Sequence, residues 1–464
     1  MKNRGKGSLY TRLVSGVLFP IHEKLKGHDT VRVRKEMEKS QWLKPAEIIT
    51  IQLENLRHFL YEVGLHVPFY RDLFAKLNFS SSKIAELEDL QQLPLTDKSF
   101  IRTHLEQLKS DHTAGLSRFN TGGSSGEPLI FYIGKNRISH DVAAKWRATR
   151  WWNVDLGDPE IVVWGSPIEL GAQDRVRQLR DKVIRTRLLP AFEMSEPKLD
   201  AFIREIRNMR PKMLFGYPSA LSLIASHAQR RSIVMNDLGI KTAFVTSERL
   251  YDYQREKIET VFGCPVANGY GGRDAGFIAH QCPSGGMHIT AEDLIVEIID
   301  GDGKVLPTGE AGEIVVTHLA TNEFPFIRYR TGDVGILSDE FCPCGRGLPL
   351  LKEIQGRSTD FVVAHDGTVL HGLALIYTLR DLPGIAEFKI IQESRERTRV
   401  QIIKEDGYRQ ECETLINSAF KKRLGEEVRI DIEYLGEISK EKSGKYRYVV
   451  SHVNTNSHPQ STAI

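Results

Sequence analysis

The sequence predicts an α/β fold: a large N-terminal domain with mixed or parallel sheets and a β region, followed by a small α+β C-terminal domain. Three observations carry this. Short apolar runs at 161–164, 213–215 and 242–245 alternate with helical patterns at 198–209, 219–230 and 250–261. That alternation builds a largely parallel sheet whose strands are buried on both faces. Next, runs at 294–299 and 312–317 flank the turn Asp300-Gly-Asp-Gly303, the texture of a hairpin-rich β region. Last, a compact strand–helix–strand–strand–helix–strand pattern fills the chain beyond Gly356, a normal length for one domain.

Taken in order, residues 1–110 read as mainly helical. Ile48, Ile49, Leu53, Leu56 and Leu60 recur at helical spacing, and Pro45 suits a first helical turn. Val67-Pro-Phe-Tyr70 breaks that helix. Residues 119–300 are α/β and 287–350 are β-rich, which completes a domain over 1–355. The small domain covers 356–453, with strands at 361–364, 388–392, 399–403 and 428–434 and helices at 373–380 and 410–424. The polar stretch 454–464 is expected to be disordered.

Length and composition exclude several classes of function. At 464 residues the chain exceeds one ordinary core. Hydrophobic and charged shares of 41% and 27% are those of a globular protein. A net charge of +3 from 63 basic and 60 acidic residues makes no electrostatic case for nucleic acid. The basic cluster 175–187 reads as a solvated helix face or a grip on a small anion. The apolar run 13–21 is too short to span a membrane and is interrupted by Pro20. No small-residue cleavage site follows it, so it does not read as a signal peptide. It is expected to pack against the large domain, with an amphipathic contact to a membrane surface as the alternative. Five cysteines give no disulfide framework and suit a reducing, cytoplasmic setting.

Chemistry concentrates in a few segments. Thr121-Gly-Gly-Ser-Ser-Gly-Glu-Pro128 lets the backbone curl so that N–H groups and hydroxyls surround a phosphate. Alone, such a stretch is more often a turn, and Glu127 departs from the lysine of a P-loop. Asn268-Gly-Tyr-Gly-Gly-Arg-Asp274 sets an aromatic between glycines, able to stack on a base, ahead of a carboxylate able to hold a phosphate-bound metal. Tyr329-Arg-Thr-Gly-Asp333 reads as a tight turn presenting a carboxylate to ribose hydroxyls. Gly356-Arg357 opens the small domain, and Lys442-Ser-Gly-Lys-Tyr-Arg447 places Lys445 on a glycine turn.

In this order and spacing, these motifs resemble the adenylate-forming (acyl-activating, AMP-binding) superfamily, within it the phenylacetate–CoA ligase-like branch, which includes capsular-polysaccharide-associated members. The resemblance runs from the Trp42 region and His66-Val-Pro-Phe-Tyr70 through Leu93-Pro-Leu-Thr96 to Lys445. It implies that Thr121, Gly122, Gly123, Ser124, Ser125 and Gly126 hold the β- and γ-phosphates of ATP. It implies that Tyr270 packs on adenine, with Gly271 also among the ATP-binding residues and Glu248 in the Thr246-Ser-Glu248 segment that borders the adenine pocket. Asp333 falls at the ribose position and Arg357 near it. Asp274 falls at the Mg²⁺-linked acidic position, Asp360 near the interdomain hinge, and Lys445 at the catalytic lysine for adenylation. Two departures stand out: Glu127 replaces the loop lysine, and Arg273-Asp274 replaces a hydroxyl residue followed by glutamate.

Trp164, Tyr217, Thr246 and Ser247 are candidates to line the acyl pocket, although Trp164 and Phe215 also read as plain core residues. Separately, Cys282 and His288, with Cys342 and Cys344, lie on Pro/Gly turns and fit a tetrahedral structural Zn²⁺ site. The alternative is two unrelated thiol turns. His280 is a weaker ligand candidate, and Cys264 and Cys412 read as buried thiols.

The resemblance implies an acid–thiol ligase that forms an acyl-adenylate, releases pyrophosphate and transfers the acyl group to coenzyme A. An amide-forming ligase acting on an amine such as an amino sugar, and a non-catalytic nucleotide-binding relative, are the alternatives. Expected partners are a small carboxylic acid and CoA or an amine, with no nucleic acid and no membrane span. A homodimer is left open.

Overall fold

A computed structural model describes residues 8–112, 115–121, 129–165, 175–191, 193–354, 361–438 and 448–453. The loop positions 122–128, and with them Glu127, lie outside the described residues. So do Arg357, Asp360, Lys445 and the tail 454–464.

The α/β and β-rich regions, separate in the sequence pattern, form one continuous eleven-stranded sheet. Five strands run parallel, in the order Thr186–Pro190, Glu160–Trp164, Met213–Gly216, Thr242–Thr246 and Val266–Gly272. Their alternating side chains enter two different cores, as the two-residue strand period requires. Ile161, Val163, Leu214, Ala243 and Val245 pack with helices Glu196–Met209, Pro218–Arg230 and Asp252–Phe262. Met213, Phe215, Phe244 and Ala267 face the opposite side, with Ala148 and Trp151 of helix Lys135–Trp151.

The sheet continues because Val266–Gly272 folds back as a hairpin onto Gly276–Gln281 through the turn 273–275. Gly276 adopts φ +81°, a left-handed conformation that glycine takes without penalty. Beyond it come Met287–Ile289, Leu350–Ile354, Tyr329–Ser338, Ala311–His318 and Leu294–Ile299, all antiparallel. Helices Pro45–His66 and Pro68–Leu77 cover this part through Leu56, Phe59, Val63 and Tyr70.

The C-terminal residues build a second, four-stranded sheet in the order Arg429–Tyr434, Arg397–Lys404, Ile385–Gln392 and Val449–Ser451. Helices Leu373–Arg380 and Glu411–Leu424 pack on it around Phe388, Ile390, Val400, Ile416 and Phe420. The hairpin Phe361–Val363/Val369–His371 does not join this sheet; it pairs with Glu193–Met194. The Gln392 side chain ties the hairpin to the C-terminal sheet by bonding both N and O of Val363, at 2.8 and 2.6 Å.

Two sequence expectations change. The basic cluster 175–187 divides at Arg185 (φ +60°) between helix Arg175–Ile184 and strand Thr186–Pro190. The run 13–21 is only half covered: Val14 and Phe19 are buried, whereas Leu13, Val17, Leu18 and Ile21 face outward.

Candidate active site and metal centre

Trp164, Tyr217, Thr246 and Tyr270 all stand at or just beyond the carboxyl ends of parallel strands. Open α/β sheets bind ligands in the crevice outside those ends, where helix N-termini converge. Here Trp164 stacks on Tyr217 with ring centres 4.4 Å apart, and Phe215 lies between Trp164 and Phe244 at 5.9 Å from each. The Lys145 ammonium sits 3.9 Å over the Phe215 ring. Glu248 accepts the Ser219 hydroxyl and, at 3.4 Å, the Ser219 amide in the first turn of helix Pro218–Arg230. Burial pushes the Tyr217 phenol up, and the nearby Glu248 charge adds to it. Ser247 adopts φ +73°, a left-handed backbone for a side-chain-bearing residue. Such strain costs on the order of 1 kcal/mol and concentrates at functional sites.

Tyr329-Arg-Thr-Gly-Asp333 is not a turn. It lies within the ten-residue strand Tyr329–Ser338 as a bulge, with Thr331, Gly332 and Asp333 opposite Ile314. Gly332 at φ +76° makes the kink, while the Thr331 hydroxyl bonds the Ile314 carbonyl at 2.8 Å and receives the Asp333 amide at 3.1 Å. A bulge re-aims a side chain without ending the strand. The preceding residue anchors it: buried Arg328 grips both oxygens of Glu297 at 3.0 Å and donates to the Leu93 carbonyl at 2.8 Å. Thr96 bonds the backbone on either side of Tyr329. Thus the Leu93–Thr96 segment of the resemblance seats the strand that carries Asp333.

The hairpin and the bulge interlock through two bonds. The Tyr270 hydroxyl donates to Asp333 at 3.0 Å, and the Tyr329 hydroxyl donates to Asp274 at 2.7 Å. Asp274 also receives the Ala275 amide at 3.1 Å. Arg137, with a side chain only 1% exposed, donates to the carbonyls of Arg273 and Asp274 at 3.2 and 3.0 Å and pairs with Asp141 at 3.0 Å. It thereby fixes the turn that presents Asp274.

The glycine–serine stretch emerges from a third hairpin, Ser117–Asn120 with Ile130–Ile133. Thr121 closes its neck, the Thr121 amide donating to the Leu129 carbonyl at 3.0 Å and the Leu129 amide to the Thr121 hydroxyl at 2.9 Å. The Arg273 guanidinium reaches the Asn120 carbonyl at 3.4 Å, so the loop base stands beside the Asp274 turn. Sequence reasoning missed Tyr329 as a partner of Asp274 and missed Arg137 altogether. A charged residue in a helical pattern gives no sign that it is buried.

The cysteine–histidine set also converges. The ligand atoms of Cys282, His288, Cys342 and Cys344 all lie within 4.8 Å of one another. Cys282 Sγ is 3.5 Å from Cys342 Sγ, and Cys344 Sγ is 3.2 Å from His288 Nε2. Tetrahedral zinc with Zn–S near 2.3 Å and Zn–N near 2.0 Å sets neighbouring ligands about 3.5 Å apart. Tight turns shape both thiol pairs: the Gly285 amide donates to the Cys282 carbonyl, and the Gly345 amide to the Cys342 carbonyl. Burial pushes the His288 pKa down to about 4, which leaves a neutral imidazole with a lone pair at Nε2. Its Nδ1 faces the Leu348 carbonyl at 3.4 Å, a partner that orients a ligating histidine. Burial pushes the Cys282 thiol up to about 12. His280 is not in the cluster; it lies against the rings of Phe244 and Phe277.

Residues 362–452 match the CapK C-terminal domain family. Over 411 residues the chain is 22% identical to protein CapK of Staphylococcus aureus, covering 88% of this chain and 90% of that protein. It is 24% identical to a phenylacetate–coenzyme A ligase of Thermus thermophilus, covering 82% and 84% of the two chains. It is related to CapK and to the phenylacetate–CoA ligases. A phenylacetate–CoA ligase of Pseudomonas putida is 28% identical, over 67% of this chain and 71% of that one. The solved structure of a 2-hydroxyisobutyryl-CoA ligase in complex with 2-HIB-AMP and CoA superposes with a TM-score of 0.64 at 20% identity, covering 89% and 91%. The fold is therefore that of the adenylate-forming ligases, a large mixed-sheet unit followed by a separate C-terminal sheet. Among the described residues, no helix is long and apolar enough to cross a membrane.

Proposed function

We propose that this chain activates a carboxylic acid as its acyl-adenylate and passes the acyl group to a thiol, that of coenzyme A. The observation that carries this reading is the paired Tyr270–Asp333 and Tyr329–Asp274 contact, at 3.0 and 2.7 Å, beside the neck of the glycine–serine hairpin. It brings together a flat aromatic on strand Val266–Gly272, a carboxylate fit for a ribose diol on the bulge of strand Tyr329–Ser338, and a second carboxylate on the turn 273–275.

In this reading the Tyr270 ring packs on adenine and Asp333 accepts from the ribose hydroxyls. The amides and hydroxyls of 121–126 receive the β- and γ-phosphates. The substrate carboxylate attacks the α-phosphorus, the bond to the bridging oxygen breaks, and pyrophosphate leaves. Lys445 offsets the anionic repulsion of that approach, an electrostatic and positioning contribution. Mg²⁺ held with Asp274 would neutralise phosphate charge; Asp274 is shorter by one methylene than the glutamate expected there, and its bond to Tyr329 keeps it aimed. In the second half-reaction the thiolate attacks the acyl carbon and AMP departs. Rotation of the small domain near Asp360 would withdraw Lys445 between the two steps.

Trp164, Tyr217, Thr246 and Ser247 form the wall for the acyl group, and their stacked rings suit an apolar or aryl acid. The Cys282/His288/Cys342/Cys344 cluster holds a structural Zn²⁺: with four protein ligands, no position stays open for chemistry. It ties strand Met287–Ile289 to the segment ahead of strand Leu350–Ile354.

The test is incubation with Mg-ATP and a panel of aryl and alkyl acids without acceptor, followed by mass spectrometry. An acyl-adenylate and AMP are expected with at least one acid, and acyl-CoA when CoA is added. Amide formation with amines, and none with CoA, would replace the thiol acceptor by an amine. No adenylate with any acid would leave only nucleotide binding.

A further inference from the structure

The N-terminal helix is amphipathic in the inverted sense. It runs unbroken through Leu9–Leu13, a π turn Val14–Leu18 and Phe19–Lys26. Its inward face carries polar groups as well as apolar ones: the Thr11 hydroxyl donates to Asp158 at 2.8 Å, and Glu23 receives the Thr30 hydroxyl at 2.5 Å. Its outward face carries Leu9, Leu13, Val17, Ile21 and Leu25, exposed by 84, 47, 46, 54 and 83%. A helix resting on its own protein buries its apolar stripe and turns its charges to water; this one leaves five large apolar side chains outside.

Their spacing of four would drift around an ideal α-helix by about 40° per step. The π turn advances less per residue and takes up much of that drift, holding the five on one side. Such wide turns inside helices mark functional positions. Exposed Arg12, Lys24 and Lys26 border the stripe, and the seven residues before Ser8 add Lys2, Arg4 and Lys6. Ser8, at the start of the helix, also lines a 1090 Å³ cleft whose wall includes Arg185, Arg210, Lys212 and Lys241 against the single acid Asp158. Two copies of this surface placed face to face would oppose like charges. An anionic lipid surface complements both the apolar stripe and its basic border.

We propose that this helix lies in the interface of an anionic membrane, with Leu9, Leu13, Val17, Ile21 and Leu25 among the acyl chains and the basic border against the headgroups. The contact is peripheral and reversible. It is independent of the adenylation reading, because no stripe residue belongs to the strand-end site.

The experiment is cosedimentation of the full chain with vesicles of phosphatidylglycerol and phosphatidylcholine, against vesicles of phosphatidylcholine alone. Binding to the anionic vesicles is expected, weakened by raised salt. Replacing Leu13→Glu and Ile21→Glu together should lower the vesicle partition coefficient roughly a hundredfold, with melting temperature and adenylation in solution unchanged. Leu25→Glu, at a side chain 83% exposed, gives a second variant with no packing role. Absence of binding to anionic vesicles at low salt, or binding unaltered by these substitutions, would overturn the proposal. So would a dimer of the parent chain that the same substitutions convert to monomer, since the stripe would then be a self-interface.

Discussion

Gly271 lies where strand Val266–Gly272 crosses its neighbour most closely. A Cβ added there would sit 2.2 Å from the Gly276 carbonyl oxygen and 3.1 Å from the Ile278 amide nitrogen, both backbone atoms. No flexible side chain can yield, so Gly271→Ala must push strand Gly276–Gln281 away by roughly 1 Å. Overpacking of this kind costs about 1–3 kcal/mol, which should appear as a melting temperature lower by several degrees. The same shift drags the turn 273–275, and with it Asp274, away from Tyr329. A misplacement of about 1 Å at a reacting centre can cost on the order of a hundredfold in rate. The assay is acyl-adenylate formation under saturating Mg-ATP, read beside thermal melting. Gly301→Ala is the control: nothing lies within 4 Å of its Cβ and its φ is not left-handed, so both readings should stay at parent values. A fully active Gly271→Ala protein with unchanged melting would refute the reasoning. So would a destabilised variant with undiminished adenylation, because the hairpin would then carry no site.

Further outcomes follow from individual contacts. Tyr270→Phe keeps the ring but removes the hydroxyl that bonds Asp333; the KM for ATP should rise about tenfold, and an unchanged KM would detach Asp333 from ribose recognition. Lys445→Ala should abolish adenylation while largely sparing CoA attack on a supplied acyl-adenylate, and equal loss of both steps would remove that lysine's assigned role. Protein purified without chelator should carry about one equivalent of zinc, lost in Cys282→Ser together with several degrees of melting temperature. Less than about half an equivalent in the parent chain would speak against the metal site.

What the sequence made legible followed from burial on both faces. The strands at 160–164, 213–216 and 242–246 each hold an unbroken apolar run, at 161–164, 213–215 and 243–245, because helices cover each side, so they stood out from their surroundings. Strand Ser117–Asn120 is exposed along its whole length and has no apolar pattern to read. Tyr329–Asp333 carries turn-type residues because a bulge uses the same backbone chemistry as a turn. Gly276–Gln281 was missed because its alternation is masked by His280, a polar residue buried among aromatic rings. The cysteine–histidine set was visible although Cys282 and Cys342 stand 60 positions apart, since ligand type and turn residues do not depend on knowing the strand pairing. The N-terminal run was legible as amphipathic but not in its orientation. Which face Thr11 and Glu23 would choose depends on Asp158 and Thr30, and no local pattern encodes that choice.

The central claim is that this site forms an acyl-adenylate, and ATP–pyrophosphate exchange measures that step without regard to the acceptor. With Mg-ATP, labelled pyrophosphate and a panel of carboxylic acids, exchange should depend on the acid, be strongest for one aryl or apolar class, and disappear in Lys445→Ala. Exchange absent with every acid, or present at the same rate without any acid, would contradict the account.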